Sequence, residues 1–280
     1  MIRSVLYVPA DRPKMLVKAA QRHADLVLVD LEDAVAVGAK DLARREARLA
    51  IPRLKEQGAR VGVRINNHPD HIESDLDALA GFDLDTIVVP KADLRLIEQV
   101  AGTRMVEGRD LTALVESGRG LLDAPKMAAH ERVVRLMAGE VDMGADLGMS
   151  VPPDHPAWHA PRAMLVWASA AAGIEGPIGS PYTNLDISTL DELRRSTREL
   201  ADIGFAGRSA IHPAHVRTIN ETFTPGADEL AEARRMVEAY DRAIAAGRGV
   251  IVDEYGRMID EAVVRRSRQM AAAYPVASPE

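Results

Sequence analysis

Eight short apolar runs, longer amphipathic stretches between several of them, and no glycine-rich phosphate turn after the first run predict a (β/α)8 TIM barrel with a C-terminal helical and hairpin extension. The runs are continuous in hydrophobicity, as expected of parallel strands buried on both faces. At 280 residues the chain holds a barrel of about 250 residues and a short addition. The division expected is residues 1–222 for the barrel and 223–280 for the extension.

Strands are expected at Arg3–Val8, Leu26–Leu31, Arg60–Ile65, Thr86–Val89, Leu111–Val115, Val133–Met137 and Arg208–Ile211, with a weak one between Gly176 and Leu185. Between them, Arg12–His23 is read as a helix with Asp11 as N-cap and Pro13 in its first turn. Lys40–Gln57 is read as a helix closed by Gly58, and Pro156–Ala172 as one ending at Gly173. Leu190–Asp202 completes the barrel helices that the pattern reveals. The extension follows as a polar helix, Asp228–Ala246, a hairpin from Gly249 to Gly256, and a helix from Asp260 to Ala272. Residues 276–280, with Pro and Ser and no apolar period, are expected to fray.

Composition narrows the function class. A content of 47% hydrophobic and 28% charged residues fits a folded globular chain. The net charge of -7 argues against a nucleic-acid surface, though a local basic pocket for a phosphorylated ligand remains compatible with it. No run of eighteen apolar residues offers a membrane span, and the first nine residues do not read as a signal peptide, so a cytoplasmic protein is expected. With no cysteine, thiolate metal sites and cysteine nucleophiles are excluded.

Barrel active sites gather at the C-terminal ends of the strands. The polar residues there are Glu32 and Asp33, Arg64 and Asn66, Lys91, Glu116, Asp142 and His212. Glu116 and Asp142 end adjacent strands and could share one ion; their oxygen ligands suit Mg2+. The alternative is a salt bridge for Glu116 and a turn cap for Asp142. Arg64 ends an apolar strand and needs an anionic partner, either a substrate carboxylate or Glu32 or Asp33. Arg12 and Lys18 form either a solvated face or a contact for phosphates. Asp260 opens a helix, where N-capping is the simplest role.

Taken together, these segments resemble the citrate lyase beta-subunit-like proteins, the group of malyl-CoA and citramalyl-CoA lyases within the HpcH/HpaI aldolase superfamily. The resemblance is carried in order by Arg3–Pro9 with Asp11–Pro13, Asp30–Val35 with Lys40 and Arg44, Val63–Asn66, Val89–Lys91 and Leu114–Ser117. It continues through Gly139–Gly148, Gly204-Phe205, Ala210–Pro213 and Gly256–Asp260. It implies Mg2+, or Mn2+ in its place, held by Glu116 and Asp142, with Arg64 on the substrate's oxygens. It also implies a homotrimer or hexamer in which Asp260 reaches a neighbouring subunit's site as acid/base. The implied reaction cleaves or forms a 3-hydroxyacyl-CoA, such as malyl-CoA or citramalyl-CoA, against acetyl-CoA and a 2-keto acid. Coenzyme A enters as part of the substrate, with Arg12 and Lys18 as its contacts and Glu32 and Asp33 beside Arg64 in the substrate site. Two departures stand out: His215 replaces a common glutamine, and Gly148–His159 has no clear counterpart. The competing readings are a CoA-independent pyruvate aldolase, a hydrolase acting on the thioester, and the beta subunit of a citrate-lyase-type complex.

Overall fold

A computed structural model describes residues 1–253 and 255–274. Two compact units emerge: Ile2–Phe223, and a second that joins Met1 to the chain from Thr224 onward. The expectation of fraying at residues 276–280 falls outside the described residues.

The first unit is a closed barrel of eight parallel strands in sequence order, β1 to β8, with β8 returning to β1. Its first half runs β1 (Ser4–Pro9), α1 (Pro13–Leu16), β2 (Leu26–Asp30), α2 (Lys40–Glu56), β3 (Val61–Arg64), α3 (Pro69–Leu79), β4 (Thr86–Val89) and α4 (Leu94–Ala101). The second half runs β5 (Leu111–Val115), α5 (Gly118–Ala128), β6 (Val133–Ala138), α6 (Glu140–Asp146), α7 (His159–Ala172), β7 (Ile178–Gly179), α8 (Leu190–Asp202), β8 (Gly207–Ala210) and α9 (Pro213–Phe223). Closure demands a glycine where β8 meets β1. A Cβ on Gly207 would sit 2.4 Å from the Ile2 carbonyl oxygen and 2.5 Å from that of Arg3.

The period of two along each strand divides the core. Val5, Leu26, Leu28, Val88, Leu114, Met137 and Ile178 fill the barrel interior. Leu6, Val27, Val29, Val63, Ile87, Val115 and Leu136 face the helices instead. The interior set, extended one step toward the C-terminal ends, reaches Tyr7 after Val5, Asp30 after Leu28 and Glu116 after Leu114. The polar mouth is thus the last layer of the apolar interior.

Several helices differ from the sequence expectation. Arg12–His23 is not one helix: α1 ends at Leu16, and His23 takes a left-handed φ of 57°. Leu16 and Ala19 are its buried apolar residues, while Met15 and Val17 are exposed, so little apolar surface favours a longer helix. Asp11 does not cap it; Arg12 occupies the N-cap without a side-chain bond, and Asp11 pairs with Arg12 at 3.6 Å. Five helices, α3, α4, α5, α6 and α9, stand where the sequence reading had none. Three of them carry caps visible in hindsight, with His68, Asp93 and Ser117 each accepting a backbone N–H.

The second unit consists of α10 (Ala227–Ala245), β9 (Ile251–Val252), β10 (Met258–Ile259) and α11 (Glu261–Ala273). Tyr240, Ile259 and Val264 form its small core. The hairpin pairs Val252 with Met258 and Ile251 with Ile259, so it lies further along the chain than Gly249–Gly256. Asp253 shapes its turn by accepting the N–H groups of Tyr255 and Arg257, ahead of Gly256 at φ 78°. Among the described residues no helix is long and apolar enough to cross a membrane.

Candidate active site

The barrel mouth encloses a cavity of about 480 Å3 lined by residues that include Tyr7, Asp33, Arg64, Glu116, Gly139 and Asp142. Asp30 and Arg64 face each other across neighbouring strands, because the β2–β3 register places them side by side. Arg64 donates from Nε to Asp30 Oδ1 at 2.8 Å and from Nη2 to Oδ2 at 2.7 Å. Its Nη1 stands 2.7 Å from Glu32 Oε2, and Asp33 lies at 3.9 Å. The guanidinium also covers the Tyr7 ring at 4.9 Å. The ion pair expected with Glu32 therefore exists, but the two-point partner is Asp30, which the reading of strand ends had passed over. Of the five guanidinium N–H groups, only one on Nε and one on Nη2 are taken by hydrogen bonds, while Nη1 meets Glu32 as an ion pair.

Glu32 sits behind this arrangement rather than on the cavity wall. It receives Lys91 Nζ at 3.0 Å. Lys40, itself buried, donates Nζ to the carbonyls of Leu31 and Glu32 at 2.7 Å each, fixing the loop after β2. Asn66 turns away from the mouth: its amide donates to Leu31 O and to Asp75, which Arg44 also engages. His212 is engaged at the start of α9, its Nδ1 accepting from the Ala214 N–H at 3.3 Å.

Glu116 is 3% exposed, and its Oε1 accepts the Lys91 backbone N–H at 2.6 Å. To aim that N–H, Lys91 adopts a left-handed φ of 45°, an uncommon state for a residue with a side chain. Burial pushes the Glu116 carboxyl up to about 8, with the negative charges of Glu32 and Asp142 adding to the effect and Arg64 opposing it. Asp142 does not end a strand as expected but lies in the first turn of α6, which follows β6, while Glu116 directly follows the neighbouring strand β5. Among the described residues no group of three or more Asp, Glu or His side chains is arranged to hold a metal ion. A two-carboxylate site completed by water and substrate is compatible with that. The donors fit: a carboxyl this buried and surrounded by other carboxylates gains from a divalent cation, and hard oxygen ligands suit Mg2+.

The fit is tight on one side. A Cβ on Gly139 would meet both Cβ and Oε2 of Glu116 at 2.7 Å. Gly139→Ala is therefore expected to displace Glu116 and weaken Mg2+ binding by roughly ten-fold or more by calorimetric titration. Gly38→Ala, with nothing within 4 Å of the added carbon, serves as the control. Equal Mg2+ affinity in both variants would remove Glu116 from the metal site.

Lys18 lines a second cavity of about 310 Å3 that shares Tyr7, Met15 and Ile211 with the first, together with Lys14 and Arg22. Arg12 is exposed and lines neither. Asp260 belongs to the second unit, where its carboxylate caps α11 by accepting the Val263 N–H at 3.1 Å.

Residues 3–213 match the HpcH/HpaI aldolase/citrate lyase family. The chain belongs to that family. Its sequence is 32% identical over 272 residues to the (3S)-malyl-CoA thioesterase of Cereibacter sphaeroides, covering 96% of this chain and 93% of that protein. It is 31% identical over 308 residues to the L-malyl-CoA/beta-methylmalyl-CoA lyase of the same species, covering 96% of each. Among solved structures, the CitE protein of Mycobacterium tuberculosis in complex with magnesium, acetoacetate and coenzyme A superposes with a TM-score of 0.80 at 32% identity. That match covers 96% of this chain and 97% of the other.

Proposed function

We propose that this protein is a Mg2+-dependent carbon–carbon lyase that cleaves or forms a 3-hydroxyacyl-CoA such as malyl-CoA or citramalyl-CoA. The observation that carries the reading is the placing of a buried, charge-starved Glu116 and of Asp142 beside Arg64 in one cavity. The similarity to the malyl-CoA/beta-methylmalyl-CoA lyase, and to a CitE structure holding magnesium and coenzyme A, supports it.

Glu116 and Asp142 would hold the ion. Bound Mg2+ supplies Lewis-acid polarisation and a template for the substrate's oxygens. Arg64, held flat by Asp30 and backed by Tyr7, directs its remaining N–H groups at the oxygen where negative charge develops, a placement that costs no rearrangement during the reaction. Lys91 holds the Glu32 carboxylate behind it, and Lys40 holds the backbone carbonyls of Leu31 and Glu32. Asp260, contributed by a neighbouring subunit of a trimer or hexamer, would give a proton to the carbon of the acetyl-CoA enolate and remove it in the synthetic direction. Lys18, with Lys14 and Arg22 beside it, offers positive charge to the phosphates of coenzyme A, and Arg12 extends that face.

The test is incubation of the purified protein with malyl-CoA or citramalyl-CoA and Mg2+, following keto acid and acetyl-CoA, with EDTA as control. EDTA-sensitive release of both is expected, and Asp260→Asn is expected to bind substrate yet turn over at least about 100-fold more slowly. A second reading, thioester hydrolysis, is favoured by the similarity to the malyl-CoA thioesterase. Free CoA with intact malate as the products would replace the lyase reading with that one. Aldol activity on pyruvate and a free aldehyde, without CoA, would place the protein on the aldolase side of its family.

A further inference from the structure

Beside the mouth lies another cavity, of about 550 Å3, walled partly by the Gly148–His159 segment through Met149, Val151 and Trp158. It touches the mouth through Glu140, Val141 and Pro181. Arg208 of β8 also lines it. Its position in the strand turns it toward α8, outside the barrel interior, where it is 6% exposed.

Other buried arginines of this unit have a carboxylate. Arg64 has Asp30, and Arg162 has Glu140, which it grips at 2.6 and 2.7 Å. Arg208 has three neutral acceptors instead: Ser180 O at 2.9 Å from Nε, and Ser196 Oγ at 2.8 Å and Thr197 Oγ1 at 3.0 Å from Nη1. Among the described residues its Nη2 has no hydrogen-bond partner, and no ion pair reaches it. The Tyr182 ring lies 5.7 Å from the guanidinium. Glu192, also on the wall, is engaged by the Tyr182 hydroxyl at 2.8 Å. Glu140 is taken by Arg162, and Glu199 lends negative charge from a distance without touching the guanidinium, so among the described residues Arg208 is left without a direct ion-pair partner. Burial pushes Arg208 down to about 10, aided by Arg162 and opposed by the Glu140 and Glu199 carboxylates.

The geometry points to a binding site for a short-chain monocarboxylate, with its carboxylate on Arg208 Nη2 and its hydrocarbon against Trp158, Val151 and Met149. A carboxylate is the counter-ion this guanidinium lacks, and two free N–H groups on one nitrogen give it a charge-assisted anchor. The apolar wall explains why a chain is expected behind the charge. The carboxylate has two possible sources: a free acid, or the far end of an acyl chain bound in the mouth.

Calorimetric titration of the full-length protein with sodium butyrate tests the site. Saturable binding is expected in the wild type, weakened about ten-fold or more in Arg208→Met. Val151→Glu, at a half-buried position, places a competing carboxylate in the cavity, leaves Arg208 intact and is expected to weaken butyrate equally; it carries the test where Arg208→Met does not fold. No saturable binding by the wild type up to about 10 mM, or unchanged affinity in the folded variants, would overturn the site. A repeat with malyl-CoA in EDTA separates the sources. Displacement of butyrate assigns the carboxylate to a bound acyl chain, and retention assigns it to a separate acid. That last arm alone rests on the proposed reaction; the binding arms stand whichever reaction the mouth performs.

Discussion

Glu116→Gln is expected to abolish the response of the protein to Mg2+ while leaving the metal-free fold as stable as the wild type, or more stable. The fold holds the Glu116 proton up to about pH 8, against an ordinary value of 4.5. Because this carboxyl is raised, its contribution to stability is full below about pH 4.5. It is then lost as the pH climbs toward 8, by up to about 1.4 kcal/mol for each pH unit. A glutamine cannot ionise, so the variant has no such slope. A cation binds the ionised carboxylate and competes with the proton. Mg2+ should therefore raise the wild-type Tm more at pH 8 than at pH 6, and should leave the variant's Tm unmoved at both. The loss of Mg2+ affinity should exceed the roughly 10–100-fold that follows removal of an outer partner of a ligand. Equal Mg2+ shifts in the variant and the wild type would show that the ion, if bound, is held elsewhere.

The second large effect belongs to the pair beneath it. Arg64→Gln leaves Asp30, at 0% exposure, as a buried carboxylate without its two-point partner. The expected loss is about 3–5 kcal/mol in urea unfolding. Adding Asp30→Asn should recover part of this, with a coupling energy of about 1–3 kcal/mol. Asp30 also accepts the N–H groups of Glu32 and Ala34, and an asparagine oxygen can keep one of these bonds. Activity should behave differently, because turnover remains lost in the double variant, where no guanidinium faces the mouth. Strictly additive stability losses would show that the two residues do not act as a pair. Recovery of turnover along with stability would limit Arg64 to holding the fold.

Parts of this architecture were plain in the sequence because local pattern and tertiary packing agree there. Thr86–Val89 and Leu111–Val115 are compact runs of apolar residues with one threonine each, and Leu190–Asp202 repeats its apolar residues at helical spacing; all three match the structure residue for residue. The short helices escaped notice for the opposite reason. α6 has seven residues, with Gly139 at its N-cap and Gly144 inside it, and α5 carries Pro125, so each depends on what it packs against. At the site, residues after each strand were visible, and Arg64, Glu116 and Asp142 do line one cavity. Asp30 was missed because the expected strand ran on to Leu31, so Glu32 and Asp33 beyond it were taken instead, whereas the strand ends at Asp30. The alternation Leu26, Leu28, Asp30 was a usable signal, since it carries the inward face directly to the carboxylate. Arg208 offered no such cue. Its isolation depends on Glu140 being taken by Arg162, a partner twenty-two positions away.

The apolar filling of the barrel, with Leu28, Val88, Leu114, Met137 and Ile178 packed beneath the polar layer, makes the mouth a blind alley. A ligand that enters past Arg64 has no second exit through the strands. Two ligands stacked along that depth must queue: the deeper arrives first and departs last. Binding order is in this sense written into the packing, and most of the residues that impose it lie beneath the cavity wall.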